Sequence, residues 1–355
     1  MAAARTHGGP GAGGAAPHDF SANANGCGPC PSALAAVRQA DPTRYPDPAS
    51  TALREALAAL HGVAAARIVV AASASEFIMR ITAAAARPGG AVLVPPHAYG
   101  DYAWAARAHG LAVRQAPAAD CCLAWACDPS SPLGQAPPDL HAQADALAAR
   151  LPLVLDCAYA PLRLAGRPAL PPGAGSRVWQ LWSPNKALGL TGVRGAYAVA
   201  PADADPAWLD RLQALAPSWP LGAHGVAMLQ AWAGPEAQAW VRDSLPQLRT
   251  WKARLAALCE AQGWRVLPGD AHFFCARLPG GCDPAGLLQA LRTHGVQLRD
   301  CASFGLPGHV RLAVLAPGHQ DALAAALQAL GSGTMRRQRQ RGADVPPVHH
   351  PRDRA

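Results

Sequence analysis

The chain has 355 residues, of which 50% are hydrophobic and 15% are charged, and this balance excludes an intrinsically disordered protein. No apolar run approaches the roughly 18 residues of a membrane helix, so no membrane role is expected. The formal net charge is +8, and ten cysteines in a chain of this length do not indicate a disulfide framework, so we expect a cytoplasmic protein.

The first part of the chain alternates helical and strand patterns after an irregular start. Residues 1–50 are rich in Gly, Pro and Asn and are predicted to form an extended N-terminal arm. Hydrophobic residues then recur at helical spacing from 51 to 60. Strands are predicted at 68–70, 91–94, 112–113, 123–127, 153–155 and 196–199, and helices at 75–86 and 102–108. The alternation predicts an α/β fold for residues 51–234, with a mainly parallel sheet sandwiched by helices.

The pattern changes after about Gly234, where a long helical stretch runs through residues 240–262. Strands at 265–267, 273–277 and 310–314, a helix at 284–294 and a final helix to about Leu330 predict a smaller α+β domain, residues 235–331. Six arginines against two aspartates fall in the last twenty residues. We expect residues 332–355 to be a disordered, solvated, Arg-rich tail and not a nucleic-acid-binding arm.

Cys27-Gly28-Pro29-Cys30 has the spacing of a thiol redox motif. Such a motif follows a strand and precedes a helix that lowers the thiol pKa, whereas here the preceding residues, 21–26, are polar and turn-rich. A structural zinc site would need a second Cys-x-x-Cys pair, which the sequence lacks. We therefore expect neither redox chemistry nor a metal at this position.

Only two of the 31 basic Lys and Arg residues are lysines. Lys252 lies in a helical pattern and is interpreted as a surface residue. Lys186 lies in an apolar segment punctuated by glycines, residues 183–195, after the strand-like residues 178–182. Apolar surroundings lower the pKa of an amine and so favour its attack on an aldehyde.

The segment around Lys186 resembles the Schiff-base motif of class I/II pyridoxal-phosphate-dependent aminotransferases. In that motif Ser or Thr precedes the lysine by three positions and Arg follows it by eight, as Ser183 and Arg194 do here. The resemblance implies the PLP-dependent transferase fold type I, with pyridoxal 5′-phosphate held as a Schiff base on Lys186. It also implies that Ser183 and Arg194 bind the cofactor phosphate, and a hydroxyl with a guanidinium suits a dianion.

Two further segments add to the resemblance. Asp156-Cys157-Ala158-Tyr159 follows a predicted strand and resembles the family's Asp-x-x-Tyr, which implies that Asp156 pairs with the pyridine nitrogen and that Tyr159 donates to the ring hydroxylate. An aspartate helix cap beside a core tyrosine is the alternative. Residues 128–134 resemble the family's Asn-Pro loop, with Ser131 in place of the asparagine that contacts the ring oxygen.

Less specific matches give the remaining cofactor contacts. Ser75 and Glu76 begin a predicted helix where the family holds the phosphate on backbone amides. Tyr99 corresponds to the aromatic that stacks on the pyridine ring, with a core tyrosine as the alternative. Tyr45-Pro46-Asp47 resembles the segment that reaches the partner's cofactor phosphate, which implies a homodimer.

The ends of the resemblance, which covers roughly residues 5 to 330, point to one branch of the family. His7-Gly8-Gly9 followed by residues 19–25 resembles the start of threonine-phosphate decarboxylases of cobalamin biosynthesis, close relatives of histidinol-phosphate aminotransferases. The resemblance implies a small phosphorylated amino-acid substrate. Arg311 would bind its carboxylate and Arg299 its phosphate, with help from His7 and Asn23.

The implied reaction is decarboxylation of L-threonine O-3-phosphate to (R)-1-aminopropan-2-yl phosphate, with Lys186 as the acid that returns a proton to carbon. The alternative enzyme is a histidinol-phosphate-type aminotransferase that passes the amino group to 2-oxoglutarate. A regulatory binding module without cofactor is a third interpretation, against which the intact Asp156, Tyr159, Lys186 and Arg194 argue. For Arg299 a salt bridge to Asp300 is the structural alternative.

Overall fold

The N-terminal arm is partly helical. The computed structural model describes residues 7–11, 13–137, 139–170 and 177–343, with the side chains of the last helix described as far as Gly331. In the arm a short strand, β1 (His18–Asp19), is followed by a helix, α1 (Pro31–Gln39). The prediction of an extended arm was wrong for α1, because Pro31 sits at the first helical position, where its fixed φ favours a helix, and Ala33 is buried.

The predicted α/β fold is confirmed by a seven-stranded sheet in the order β2-β8-β7-β6-β5-β3-β4. Its strands are β2 (Ile68–Ala71), β3 (Ala91–Leu93), β4 (Ala112–Arg114), β5 (Cys121–Cys127), β6 (Leu153–Asp156), β7 (Trp179–Trp182) and β8 (Ala196–Val199). Strand β8 runs antiparallel to both of its neighbours, and the other pairs are parallel. All residues of β3, β5, β6 and β8 are buried, as expected for a sheet covered on both faces.

Helices cover the sheet and contribute two hydrophobic cores. They are α2 (Thr51–His61), α3 (Ala74–Ala85), α4 (Gly100–Ala108), α5 (Leu140–Ala148), α6 (Pro206–Ala214) and α7 (Ala223–Ala233). Helices α3, α4 and α6 pack on one side of the sheet, and α1, α2 and α7 pack on the other. The sequence patterns did not predict α5, α6 and α7.

The C-terminal part forms a second, antiparallel sheet in the order β12-β13-β10-β9. Its elements are α8 (Pro235–Ala261), β9 (Arg265–Val266), β10 (Phe273–Arg277), α9 (Pro284–Thr293), β11 (Val296–Gln297), β12 (Arg299–Asp300), β13 (His309–Ala313) and α10 (Pro317–Ala343). Strand β1 of the arm pairs in parallel with β11, so the arm is attached to this part of the chain. The predicted domain boundary at Gly234 falls between α7 and α8 and stays a prediction.

Two predictions about the C-terminal part need correction. Helix α10 continues to Ala343, beyond the predicted end near Leu330, because the strong helix formers of residues 335–341 precede the next proline. Residues 344–355 lie outside the described residues. Lys252 is half-buried and not a surface residue, since its amine donates to the carbonyl oxygens of Gly269 and Ala271. Among the described residues, no helix combines the length and the hydropathy that crossing a membrane requires.

Candidate active site

Lys186 lies in a tight turn directly after β7, against the arm. The N–H of Asn25 donates to the Lys186 carbonyl (2.9 Å) and the N–H of Cys30 to the Leu188 carbonyl (2.8 Å). Gly189 permits this approach, because it adopts φ +66° and a Cβ there would lie 2.6 Å from the Gly28 carbonyl oxygen. The Lys186 amine is left 3.5 Å from the Ser183 hydroxyl and 5.5 Å from the centre of the Tyr159 ring.

Asp156 ends β6 as a buried carboxylate held by two donors. The Tyr102 hydroxyl donates to one oxygen (2.6 Å), and the N–H of Ala158 donates to the other (2.9 Å). Burial raises the pKa of Asp156, while these two hydrogen bonds and the Lys186 charge act to lower it. A buried carboxylate of this kind is best stabilised by a cation facing it from the cleft.

Tyr102 is a site residue that the sequence interpretation missed. It is fully buried, lies face to face with Trp125 (centroids 4.4 Å, 7° between planes) and meets Tyr99 edge-on (5.7 Å, 87°). Burial raises the pKa of Tyr102, so its hydroxyl stays protonated and donates to Asp156. The signal was present in the sequence, because Tyr102 follows Tyr99 by three positions in a helical pattern and so shares its face.

The start of α3 forms another wall of the cleft and corrects the role of Glu76. Ser73 is the N-cap, and its hydroxyl accepts from the N–H of Glu76 (3.1 Å), whose carboxylate in turn accepts from the N–H of Ala72 (3.1 Å). The Ser73 half is that of the capping box that Ser-x-x-Glu predicts, whereas the Glu76 carboxylate reaches one residue further back, to Ala72. Glu76 also pairs with Arg80 (2.9 Å) and lies outside the cleft lining, whereas Ser73 and Ser75 line it.

These elements line one open cleft of about 640 Å³, a volume that includes the adjoining solvent. The predicted residues that line it are Ser75, Tyr99, Ser131, Asp156, Tyr159, Ser183, Lys186 and Arg194. Lining residues that the sequence interpretation did not name include Ser73, Tyr102, Cys127 and Asn185. The Tyr99 hydroxyl donates to Asp101 (2.8 Å) and lies 3.3 Å from that of Ser75, so its ring is fixed at the cleft wall.

Two buried arginines lie next to this cleft, on adjacent strands of the second sheet. Arg299 on β12 stands directly opposite Arg311 on β13. Arg311 donates to the Ser131 hydroxyl (2.9 Å) and to the Ser21 carbonyl of the arm (2.8 Å), so it reaches the cleft wall through Ser131. Arg299 donates to the main-chain carbonyl of Asp300 (2.7 Å) and to the Ser303 hydroxyl (2.8 Å).

The arm contributes the two other predicted substrate residues. The ring of His7 is exposed and lies 6.2 Å from the Tyr99 ring. Asn23 is buried, and its amide has no hydrogen-bond partner among the described residues. The Asn23 carbonyl accepts from His272 Nε2 (3.0 Å), and burial lowers the pKa of His272 to about 4, so that imidazole is neutral.

Tyr45 lies apart from the cleft. Its side chain is 78% exposed and stacks on Trp219 (4.4 Å, 25°), which is itself 45% exposed. Within the single chain Tyr45 does not line the site, and its predicted role toward a partner subunit stays a prediction.

Comparison with known proteins agrees with this geometry. Residues 17–330 match the family described as aminotransferase class I and II. The chain belongs to this family. It is 30% identical to a histidinol-phosphate aminotransferase of Granulibacter bethesdensis over 87% of this chain and 88% of that protein, and 31% identical to one of Rhodospirillum centenum over 87% and 90%.

Solved structures place the fold among the same aminotransferases. Histidinol-phosphate aminotransferase from Sinorhizobium meliloti in complex with pyridoxal-5′-phosphate matches with a TM-score of 0.73 and 25% identity, covering 87% of this chain and 90% of that one. L-threonine-O-3-phosphate decarboxylase from Porphyromonas gingivalis matches with a TM-score of 0.68 and 22% identity, covering 84% and 92%, which supports the fold alone. The predicted PLP-dependent fold type I is confirmed.

The residues of this member of the class I/II aminotransferase family fit the family's cofactor, pyridoxal 5′-phosphate. The buried Asp156 is suited to a cationic ring nitrogen, and Lys186 is the one lysine at the cleft. Ser73, Ser75, Ser183 and Arg194 offer hydroxyl and guanidinium donors beside the N-terminus of α3, as a phosphate requires. The buried Asn185 Oδ1, which has no partner among the described residues, adds an acceptor at the same wall.

Proposed function

We propose that the enzyme decarboxylates L-threonine O-3-phosphate to (R)-1-aminopropan-2-yl phosphate, a step of cobalamin biosynthesis, in the cytoplasm. The observation that carries this proposal is the pair Arg299 and Arg311. Two like charges directly opposite each other on neighbouring strands destabilise a sheet. Burial, and next the charge of Arg311, lower the pKa of Arg299, so this pair favours a ligand with two anionic groups.

The arm limits the room on the substrate side. Gly8 lies so close to the next part of the arm that a Cβ there would be 2.1 Å from the Ser21 carbonyl oxygen and 3.4 Å from an Arg311 nitrogen. His7, the preceding residue, lies near Tyr99. For the space beside the arm we propose a compact substrate with a carboxylate and a phosphate in preference to one with an imidazole ring.

The side chains divide the chemistry among them. The bound cofactor supplies an electron sink for the bond that breaks at the α-carbon. Asp156 holds the charge that keeps this sink effective, and Tyr102 fixes Asp156. In this proposal Arg299 and Arg311 orient the phosphate and the carboxylate, and the Lys186 amine returns a proton to the α-carbon. The orientation of the carboxylate decides between its loss and the loss of the α-hydrogen.

A histidinol-phosphate aminotransferase is the second candidate, and the names of the most similar relatives favour it. Such an enzyme would transfer the amino group of histidinol phosphate to 2-oxoglutarate. That reaction shares Lys186, Asp156 and Tyr159 with the proposed one, so these residues do not separate the two candidates.

Product analysis decides between the two. Holoenzyme with O-phospho-L-threonine is expected to release carbon dioxide, and holoenzyme with histidinol phosphate and 2-oxoglutarate is expected to give no glutamate. Lys186→Ala is the control for both assays. Glutamate from the second mixture without carbon dioxide from the first would overturn the proposal in favour of the aminotransferase.

We also propose that the active form is a homodimer, in which Tyr45 reaches the cofactor phosphate of the other subunit. Its stacked pair with Trp219 leaves two aromatic rings in solvent, which is unusual for a surface without a partner. Sedimentation of the holoenzyme should give twice the chain mass of 36.6 kDa. Tyr45→Phe should weaken cofactor retention without changing that mass, and a monomeric active enzyme would contradict the proposal.

A further inference from the structure

His97 has a backbone conformation that side chains rarely adopt. It follows Pro95-Pro96 in the loop between β3 and α4, and its φ is +54°, in the left-handed region. In a residue that is not glycine, such a conformation persists only when the surrounding contacts fix it, and it is common at functional sites. The hydrogen bond that its side chain makes therefore points to the role of this loop.

That contact connects a loop of the seven-stranded sheet to a turn of the second sheet. His97 Nδ1 lies 2.7 Å from the main-chain oxygen of Phe304, in the turn between β12 and β13. A carbonyl only accepts, so Nδ1 carries the hydrogen and donates, in the neutral as well as the protonated ring. Gly305, the next residue, adopts φ +77°, a conformation that favours glycine in this turn.

The Phe304 ring lies close to both arginines that are proposed to bind the substrate. It lies 4.8 Å from the Arg299 guanidinium carbon and 5.9 Å from that of Arg311. Its neighbour Ser303 accepts from Arg299 (2.8 Å). A cation over an aromatic face is attracted to it, and Arg299 also donates to Ser303, so the position of this turn sets the position of Arg299. Arg311 lies nearer to the Phe273 ring (5.5 Å) and depends less on the turn.

The other end of the His97 loop carries Tyr99, which lines the cleft two residues later. One short segment thus lines the cleft through Tyr99 and, through His97, contacts the Phe304 turn beside the two arginines. We propose that His97 is a positioning residue that holds the Phe304 turn in place and thereby sets the affinity of the site for anionic substrates. The inference rests on the proposed role of Arg299 and Arg311 in substrate binding.

Two substitutions separate the hydrogen bond from the backbone conformation. His97→Gly and His97→Asn both tolerate a positive φ, but only asparagine keeps an N–H donor where Nδ1 lies. Binding is measured by titrating holoenzyme with inorganic phosphate and with O-phospho-L-threonine and following the absorbance of the bound cofactor. Steady-state kinetics with O-phospho-L-threonine give KM and kcat separately.

His97→Gly should weaken phosphate binding and raise KM about tenfold, the effect of one well-placed hydrogen bond, with kcat within about twofold. His97→Asn should stay within about threefold of the parent in all three quantities. Equal losses in both variants, unchanged binding in His97→Gly, or a fall in kcat at constant KM would overturn the proposal.

Phe304→Ala provides an independent test that leaves His97 intact, including where His97→Gly does not fold. Before phosphate is added, the bound cofactor should absorb as in the parent enzyme, and the titration should then show weaker phosphate binding. Unchanged phosphate binding would overturn the proposal. Phosphate titration needs no turnover. If O-phospho-L-threonine releases no carbon dioxide but phosphate binding still follows the predicted order of variants, the proposed reaction fails and the role of His97 stands.

Discussion

The cofactor wall and the substrate wall of the cleft are built in different ways. The cofactor wall takes its side chains from residues 73–127 and 156–195, at the ends of strands and at the start of α3. The substrate wall combines the arm, the loop that carries Ser131 and the β12–β13 pair, which are separated by more than a hundred residues. The first wall is therefore built on one sheet and its connections, whereas packing between the arm and two sheets fixes the second.

If the cofactor wall depends on one buried carboxylate, Asp156→Asn should have the largest effect on kcat. Asparagine keeps the shape but removes the charge that stabilises the electron sink, and kcat should fall about 10²- to 10³-fold. Cofactor absorbance and melting temperature report whether the protein still folds and binds. A variant that folds, binds the cofactor and keeps parental kcat would show that Asp156 is structural.

The substrate wall predicts a different outcome for Arg311→Met. The buried cation should be lost without disturbing the cofactor, so kcat/KM should fall about a hundredfold while the cofactor spectrum is unchanged. Arg277→Met is the matched control, because Arg277 lies at the exposed end of β10 in the same sheet. Loss of cofactor binding in Arg311→Met would break the separation of the two walls.

Two buried tyrosines sharpen the comparison between activity and stability. Tyr102→Phe removes the donor to Asp156 and should lower kcat about tenfold. Tyr197→Phe removes a hydroxyl that contacts His61 and Trp232 in the core, so it should lower the free energy of unfolding by about 1 kcal/mol at unchanged kcat. Equal kcat values for the two variants would argue against a role of Tyr102 at the site.

Lys252→Met tests a smaller effect, which is how far the half-buried, charged amine lowers the free energy of unfolding. Burial lowers the pKa of Lys252 from 10.5 to about 8. Below pH 8 the folded protein carries this buried charge, and between pH 8 and 10.5 it loses the proton before the unfolded chain does. The unfolding free energy of the parent should therefore rise relative to Lys252→Met in this interval, by up to about 2 kcal/mol. Urea unfolding at pH 7.5 and 9.5 measures it, and a difference that does not change with pH would contradict it.

Sequence alone predicted the cofactor wall better than its supports. The strand-end Asp156 and the lysine turn are local patterns, and both appear where they were predicted. The sequence predicts that Glu76 holds the phosphate, whereas in the structure Glu76 caps the start of α3 together with Ser73 and Ala72. Local reading favoured the anion-binding interpretation because a capping box and a phosphate site occupy the same helix N-terminus.

Residues whose environment comes from distant segments were less predictable. Lys252 lies in a regular helical pattern, but the carbonyls that accept from its amine belong to the loop before β10. The pairing of Arg299 with Arg311 follows from the β12–β13 register, which no spacing in the sequence reveals. The contact of His97 with Phe304 spans two hundred residues and is likewise visible only in the folded chain.

The central claim is that Lys186 binds the cofactor covalently, and the lysine content makes a direct test possible. Holoenzyme is reduced with borohydride and digested, and the peptides are weighed by mass spectrometry. Apart from the N-terminus, Lys186 and Lys252 provide the only primary amines of the chain. The mass of the reduced cofactor should be found on Lys186 alone. Its presence on Lys252, or its absence from both peptides, would contradict this account of the site.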